Sequence, residues 1–255
     1  MQNKIIWFLA LFGVALAILF AMFVFSRLTT KEGIRRKKEY KYSLYRPSKY
    51  VYRLGDMVSN LGQRVLHGGK SYHLKHFPNS IASEYLMETS EDDDYKTLSS
   101  IILKRVEPKD IPPDNTCVIH LRIGDVINMA KESAKEIAAK SVFIGPESWS
   151  NYTPCISQIR DGLQKLPKVS KIVIVAGSHK DVKLRKSYKY LSIIKRKLEK
   201  DGYEVDMRLG GDPDKDFIFM CMSPNFIASG GSYSKLTVNT RDVLETGASY
   251  ETMKQ

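Results

Sequence analysis

The sequence predicts an α/β fold: a doubly wound parallel sheet, preceded by a helical segment and an N-terminal transmembrane helix. Three observations predict it. After Pro112-Pro113, short apolar runs alternate with stretches of helical periodicity, the rhythm of strand–helix–strand units. The short runs are apolar throughout, as strands are when helices cover both faces of their sheet. Finally, Ile5 to Phe25, IIWFLALFGVALAILFAMFVF, carries neither charge nor proline, and at about 1.5 Å per residue it crosses a hydrocarbon core of roughly 30 Å. With 255 residues, 43% of them hydrophobic, the chain has material for one globular core.

The first element, within residues 1–28, reads as a retained single-pass anchor. A cleaved signal peptide is the alternative, but the apolar stretch exceeds the usual h-region of about 7–15 residues and no A-x-A-like site follows it. Before the span stand only Lys4 and the amino terminus; after it come Arg27, Lys31, Arg35, Arg36, Lys37 and Lys38. That bias places the large C-terminal part on the cytoplasmic face. Residues 29–53 form a basic, tyrosine-rich juxtamembrane linker, suited to anionic headgroups. Such a segment could also track a nucleic-acid backbone, but its place beside the span favours the membrane, and no nucleic-acid partner is expected. Much of the formal net charge of +12 is thereby local to this arm.

Residues 54–112 read as mainly helical, with apolar positions at helical spacing: Leu54, Met57, Val58, Leu61, Val65, then Ile81, Tyr85, Leu86, then Leu98, Ile101, Ile102. The cluster Glu91 to Asp94 interrupts them as a loop and helix cap; a metal site is the lesser reading. From 113 to 255 the α/β pattern runs TCVIHL, a helical stretch from Val126 to Ala139, a helix through Ile156, Ile159 and Leu163, and KIVIVAG. A long helix follows with Leu184, Leu191, Ile194 and Leu198, closed by Gly202. Then come YEVDMRL, a helix around Asp216 to Met222, NFIAS, and a last helix from about Ser232. Cys117, Cys155 and Cys221 fall in apolar or helical patterns and read as buried free thiols. The triplet Asn151-Tyr152-Thr153 has the form of a glycosylation sequon, with Pro154 directly after it.

Ligands of such sheets bind at the carboxyl ends of the strands. His120 and Arg122 read as sharing one face of the first strand there, with Gly124 and Asp125 following. A guanidinium at that rim presents a planar fork to phosphate oxygens, and Gly124 lets the backbone turn sharply or approach a ligand. A purely structural pairing of Arg122 with Asp125 or Asp216 is the alternative. A second element favours the ligand: Phe226 to Leu236, FIASGGSYSKL, runs from an apolar strand through Gly230-Gly231 into a helix. Backbone N–H groups of such a turn, with the hydroxyls of Ser232 and Ser234, form an anion site. Asp212-Pro213-Asp214 has the D-x-D form that holds a divalent ion in other sugar-nucleotide enzymes, but Gly210-Gly211 separates it from the preceding apolar run, and it reads as a turn before the helix at Asp216.

Taken together, H-x-R-x-G-D in His120 to Asp125, Asp216-Phe217 with Met220, and S-x-x-S-Y-S in Ser229 to Ser234 resemble the GDP-fucose-dependent fucosyltransferase superfamily, over about Asn115 to Asn239. The resemblance implies the nucleotide-binding half of a GT-B glycosyltransferase. It implies that Arg122 holds the β-phosphate of GDP, that His120 and Asp216 contact the nucleoside, and that Ser232, Tyr233 and Ser234 belong to the loop closing on the diphosphate. It further implies transfer of fucose to a hydroxyl of a glycan or protein acceptor with inversion, no metal or other cofactor, and a Golgi or ER lumenal location, opposite to the charge bias. Ile123 stands where many members carry a second arginine, and Ser178-His179 where an acidic pair is common. A catalytically inactive nucleotide- or glycan-binding, membrane-tethered module is the alternative function, and a basic membrane-surface protein is a third.

Overall fold

The computed structural model describes residues 52–59, 74–140, 153–177 and 184–252, all within the unit Leu44–Gln255. The apolar stretch Ile5 to Phe25, most of the basic linker, Asn151-Tyr152 and Ser178-His179 lie outside these residues. Among the described residues no helix is long and apolar enough to cross a membrane.

Five strands build one parallel sheet: β1 (Thr116–His120), β2 (Lys171–Ala176), β3 (Glu204–Leu209), β4 (Asn225–Ala228) and β5 (Ala248–Glu251), in the order β3-β2-β1-β4-β5. The apolar runs account for the centre. β1 and β4 are buried at every position and β2 at all but Lys171, whereas the edge strands β3 and β5 carry exposed residues. β5 is absent from the sequence expectation because Ala248-Ser249-Tyr250-Glu251 offers no apolar run.

Alternation sorts the side chains. Val118, Val173, Val175, Phe226 and Ala228 point to one face, where they pack with Met220, Val238 and Tyr233. Met220 belongs to α8 (Pro213–Cys221); Tyr233 and Val238 belong to α9 (Ser232–Leu244). On the opposite face lie α6 (Ile156–Lys165) and α7 (Arg185–Lys200). Gly162 of α6 comes so close that a methyl group there would stand 2.5 Å from the Tyr250 ring and 3.1 Å from Ile227. As the spacing predicts, α7 closes at Gly202, with φ of 95°.

The expected helical stretch from Val126 to Ala139 is two helices, α4 (Asp125–Met129) and α5 (Ala134–Ala139). A capping box explains the restart: Ser133 Oγ accepts from the Glu136 N–H, and the Glu136 carboxylate accepts from the Ser133 N–H at 2.7 Å.

The helices before the sheet are α1 (Leu54–Ser59), α2 (Ile81–Glu88) and α3 (Tyr95–Arg105). Their apolar residues sit where the spacing puts them and share one core with Phe217, Ile218 and Cys221 of α8 and Leu236 of α9. Asp94 caps α3 by accepting from the Thr97 N–H at 3.0 Å, so the end of the acidic cluster serves as a cap. The thiols of Cys117, Cys155 and Cys221 are free and buried.

Candidate functional site

Parallel order β3-β2-β1-β4-β5 puts the topological switch point between β1 and β4, where successive connections leave in opposite directions, the place at which sheets of this kind open a crevice at their carboxyl ends. Both sequence motifs meet there. The His120 ring, buried at the last position of β1, holds Ser234 Oγ at 2.6 Å and Ser229 Oγ at 3.3 Å through Nδ1, and the two hydroxyls lie 3.3 Å apart. Burial, with the nearby Arg122 charge adding to it, lowers the imidazole pKa to about 4, so the ring is neutral at physiological pH. A neutral ring joins strand and glycine turn without adding charge to the crevice.

Arg122 does not lie on the strand face that alternation suggests. One more ladder bond, Leu121 N–H to Val175 O at 2.9 Å, follows β1, and Arg122 stands in the loop beyond it. Its side chain is a quarter exposed, with Nη2 3.9 Å from Asp125 Oδ1, and its carbonyl accepts from the Thr153 hydroxyl. At 3.9 Å this ion pair is too long for a hydrogen bond. Gly124, with φ of 88° and ψ of −121°, turns the loop that carries Arg122 into α4, and its N–H donates to Ser187 Oγ of α7. Asp125 opens α4 and accepts from the Val126 N–H.

The second motif makes the first turn of α9, and its three residues go separate ways. Gly231, with φ of 103°, takes the positive-φ turn. Ser232 is exposed and donates to Asp56 Oδ1 of α1 at 3.1 Å; Asp56 is also paired with Arg53 at 2.9 Å. Tyr233 turns inward, its ring edge-on to His120 at 5.4 Å and tilted against Phe217 at 5.7 Å, and its hydroxyl donates to the Pro213 carbonyl at 2.6 Å. Tyr233 thus packs between His120 and Phe217. Ser234 is buried against His120.

Asp216 does not open its helix, because α8 begins at Pro213. The stretch read as a turn is the helix start itself. Asp212 is the N-cap, accepting from the Asp214 N–H at 2.9 Å, and Pro213 occupies the first position, where its missing N–H costs nothing. Asp214 faces the helical layer: it accepts from the Tyr52 hydroxyl and, at 2.8 Å, from the Ile81 N–H. These carboxylates are thus committed to capping and packing, and among the described residues no group of three or more His, Cys, Asp or Glu is placed to hold a metal ion.

Asp216 pairs with Arg208, Nε to Oδ1 at 2.5 Å, so the structural pairing foreseen for it exists with a different arginine. Sequence reasoning passed over Arg208. Its signal was there: Glu204, Asp206 and Arg208 alternate along β3, marking an edge strand with a cation at its carboxyl end. Register places Arg208 opposite Val175, and Val175 opposite His120, so Arg208 and His120 share a row and a face. A cavity of about 320 Å³ opens farther down this face, from Thr116 and Lys171 to Arg208 and Phe219. Its Lys171 is already bound to Glu204 and Asp206, and it reaches the amino ends of the strands, away from the motifs.

No family model matches this chain, and no curated protein matches it. Among solved structures, it is similar to POFUT1 in complex with GDP, at 12% identity and a TM-score of 0.35 over 61% of this chain and 47% of that one. In a second crystal form with GDP the values are 12%, 0.36, 63% and 46%. For POFUT1 in complex with GDP-fucose they are 11%, 0.34, 63% and 46%. The chain spans just under half the length of these structures.

Proposed function

We propose that this chain is a glycosyltransferase that binds a nucleoside diphosphate sugar, GDP-fucose on the strength of the motif resemblance, and transfers the sugar to a hydroxyl acceptor. In this reading Ile5 to Phe25 anchors it in a membrane, residues 29–53 link the anchor to the folded part, residues 54–112 form the helical layer and residues 113–255 carry the nucleotide. The observation that supports the reading best is the joining of the two motifs at the switch point, where His120 of one holds Ser234 of the other at 2.6 Å.

Charge dictates the division of labour. As the bond from the anomeric carbon to the phosphate oxygen lengthens, negative charge builds on the departing diphosphate. The Arg122 guanidinium and the N–H groups of the Gly230-Gly231 turn stabilise that state more than the ground state. The neutral His120 holds the turn in place without competing with Arg122 for the anion. Attack by the acceptor hydroxyl from the opposite side would invert the anomeric centre. Calorimetric titration of the full chain with GDP tests the reading: saturable heat is expected, and its absence overturns it. Arg122→Ala should keep the fold and lower the rate of fucose release from GDP-fucose about a thousandfold; an unchanged rate removes Arg122 from the mechanism.

A further inference from the structure

We propose that Arg208 is the positioning residue for purine selectivity, orienting Asp216 as an acceptor for a base with adjacent N–H donors. The inference rests on the nucleotide-binding reading above and adds to it a residue outside its motifs.

The geometry is specific. Asp216 is 6% exposed, one turn into α8, behind the Gly210-Gly211 bend that leaves β3. Arg208 Nε takes Oδ1 at 2.5 Å, and the guanidinium lies over the Phe219 ring at 4.6 Å, which fixes its plane. Among the described residues Oδ2 accepts no hydrogen bond. Gly211 lies directly against both oxygens: a methyl group there would stand 3.0 Å from Oδ1 and 3.1 Å from Oδ2. The carboxylate therefore faces the β3–α8 loop at the carboxyl rim, on the same sheet face as His120, with one oxygen clamped and one uncommitted.

Charge gives the clamp its chemical meaning. The groups facing this carboxyl are Arg208 of β3, Asp212 at the cap of α8 and Tyr233 of α9. Burial raises the Asp216 pKa, Asp212 pushes it the same way, and Arg208 opposes both. An ionised carboxylate only accepts, and guanine offers it N1–H and the 2-amino group side by side. A protonated carboxyl gains a donor, which suits the bare N1 of adenine. Arg208 thus decides which purine edge Asp216 can read, without touching the base itself.

Calorimetric competition between GDP and ADP on the full chain tests this. The wild-type chain should prefer GDP, and Arg208→Ala should lower the GDP-to-ADP affinity ratio by about tenfold or more, the worth of a charge-assisted hydrogen bond. Arg208→Lys, which keeps the charge, should restore part of the ratio, an outcome that lost packing alone does not produce. Arg208→Gln covers the case in which the alanine variant fails to fold. In an Asp216→Asn background the Arg208 change should add nothing further. Wild-type preference for GDP with an unchanged ratio in the folded Arg208 variants overturns the inference and leaves the nucleotide site standing. Failure of the wild type to bind either nucleotide overturns the site itself.

Discussion

At the scale of single residues, the candidate site is a matter of which side chains are held and which can respond. Gly124 is held by backbone geometry: with φ of 88° and its N–H on Ser187, an L side chain there is strained whatever the surrounding space. Gly124→Ala should lose about 1–2 kcal/mol of stability in a urea titration, and it should weaken GDP binding beyond that, because the turn shapes the loop that carries Arg122. The residues of this first motif were legible in the sequence, since a histidine and an arginine at the end of an apolar run have few structural excuses. The directions of Ser232, Tyr233 and Ser234 were not. All three follow the same glycine turn, and only the helix they begin decides that one meets α1, one meets Phe217 and one meets His120.

At the scale of elements, one arginine ties the last third of the fold together. Arg241 of α9 is 1% exposed and has no carboxylate partner among its hydrogen bonds. Its guanidinium donates to the carbonyls of Met220, Cys221 and Ser223 where α8 ends, and to Ala248 O and Ser249 Oγ where β5 begins. The carbonyls at the end of α8 carry the negative end of the helix dipole, so they satisfy the buried charge. Arg241→Met should cost about 3 kcal/mol or more, measured by thermal unfolding, because several buried carbonyls each lose one donor together. No sequence pattern announced this role, since an arginine on a helix face reads as solvated. Strands β1, β2 and β4 were legible because both their faces are apolar. β5 was hidden because a short edge strand needs neither an apolar run nor a turn signal of its own, only the carbonyls and N–H groups of β4 beside it.

At the scale of the whole molecule, the helical layer and the α/β unit are joined through Asp214. Arg105 approaches it at 3.9 Å, while the Tyr52 hydroxyl and the Ile81 N–H bond to it directly. Burial dominates these favourable contacts and raises its pKa to about 6 from an ordinary 3.8. The sign follows from linkage. A carboxyl whose folded pKa lies above its unfolded value favours the folded state when protonated, so its contribution is full below about 4 and is lost as pH rises through about 6. Relative to Asp214→Asn, the wild-type chain should lose stability on the order of 2 kcal/mol between pH 4 and pH 7, seen as a falling difference in urea midpoints. Equal pH profiles for the two proteins would show that the junction does not titrate.

That same junction sets a problem of timing for the cell. The apolar faces of α1, α2 and α3 leave the ribosome early, but the residues they rest on, Phe217, Ile218, Cys221 and Leu236, are made more than a hundred positions later. At ordinary elongation speeds of about 5–20 residues per second the interval is on the order of ten seconds. Throughout it the surface of the nascent helices destined for α8 and α9 waits for its native cover, with only the neighbouring helices to pack against.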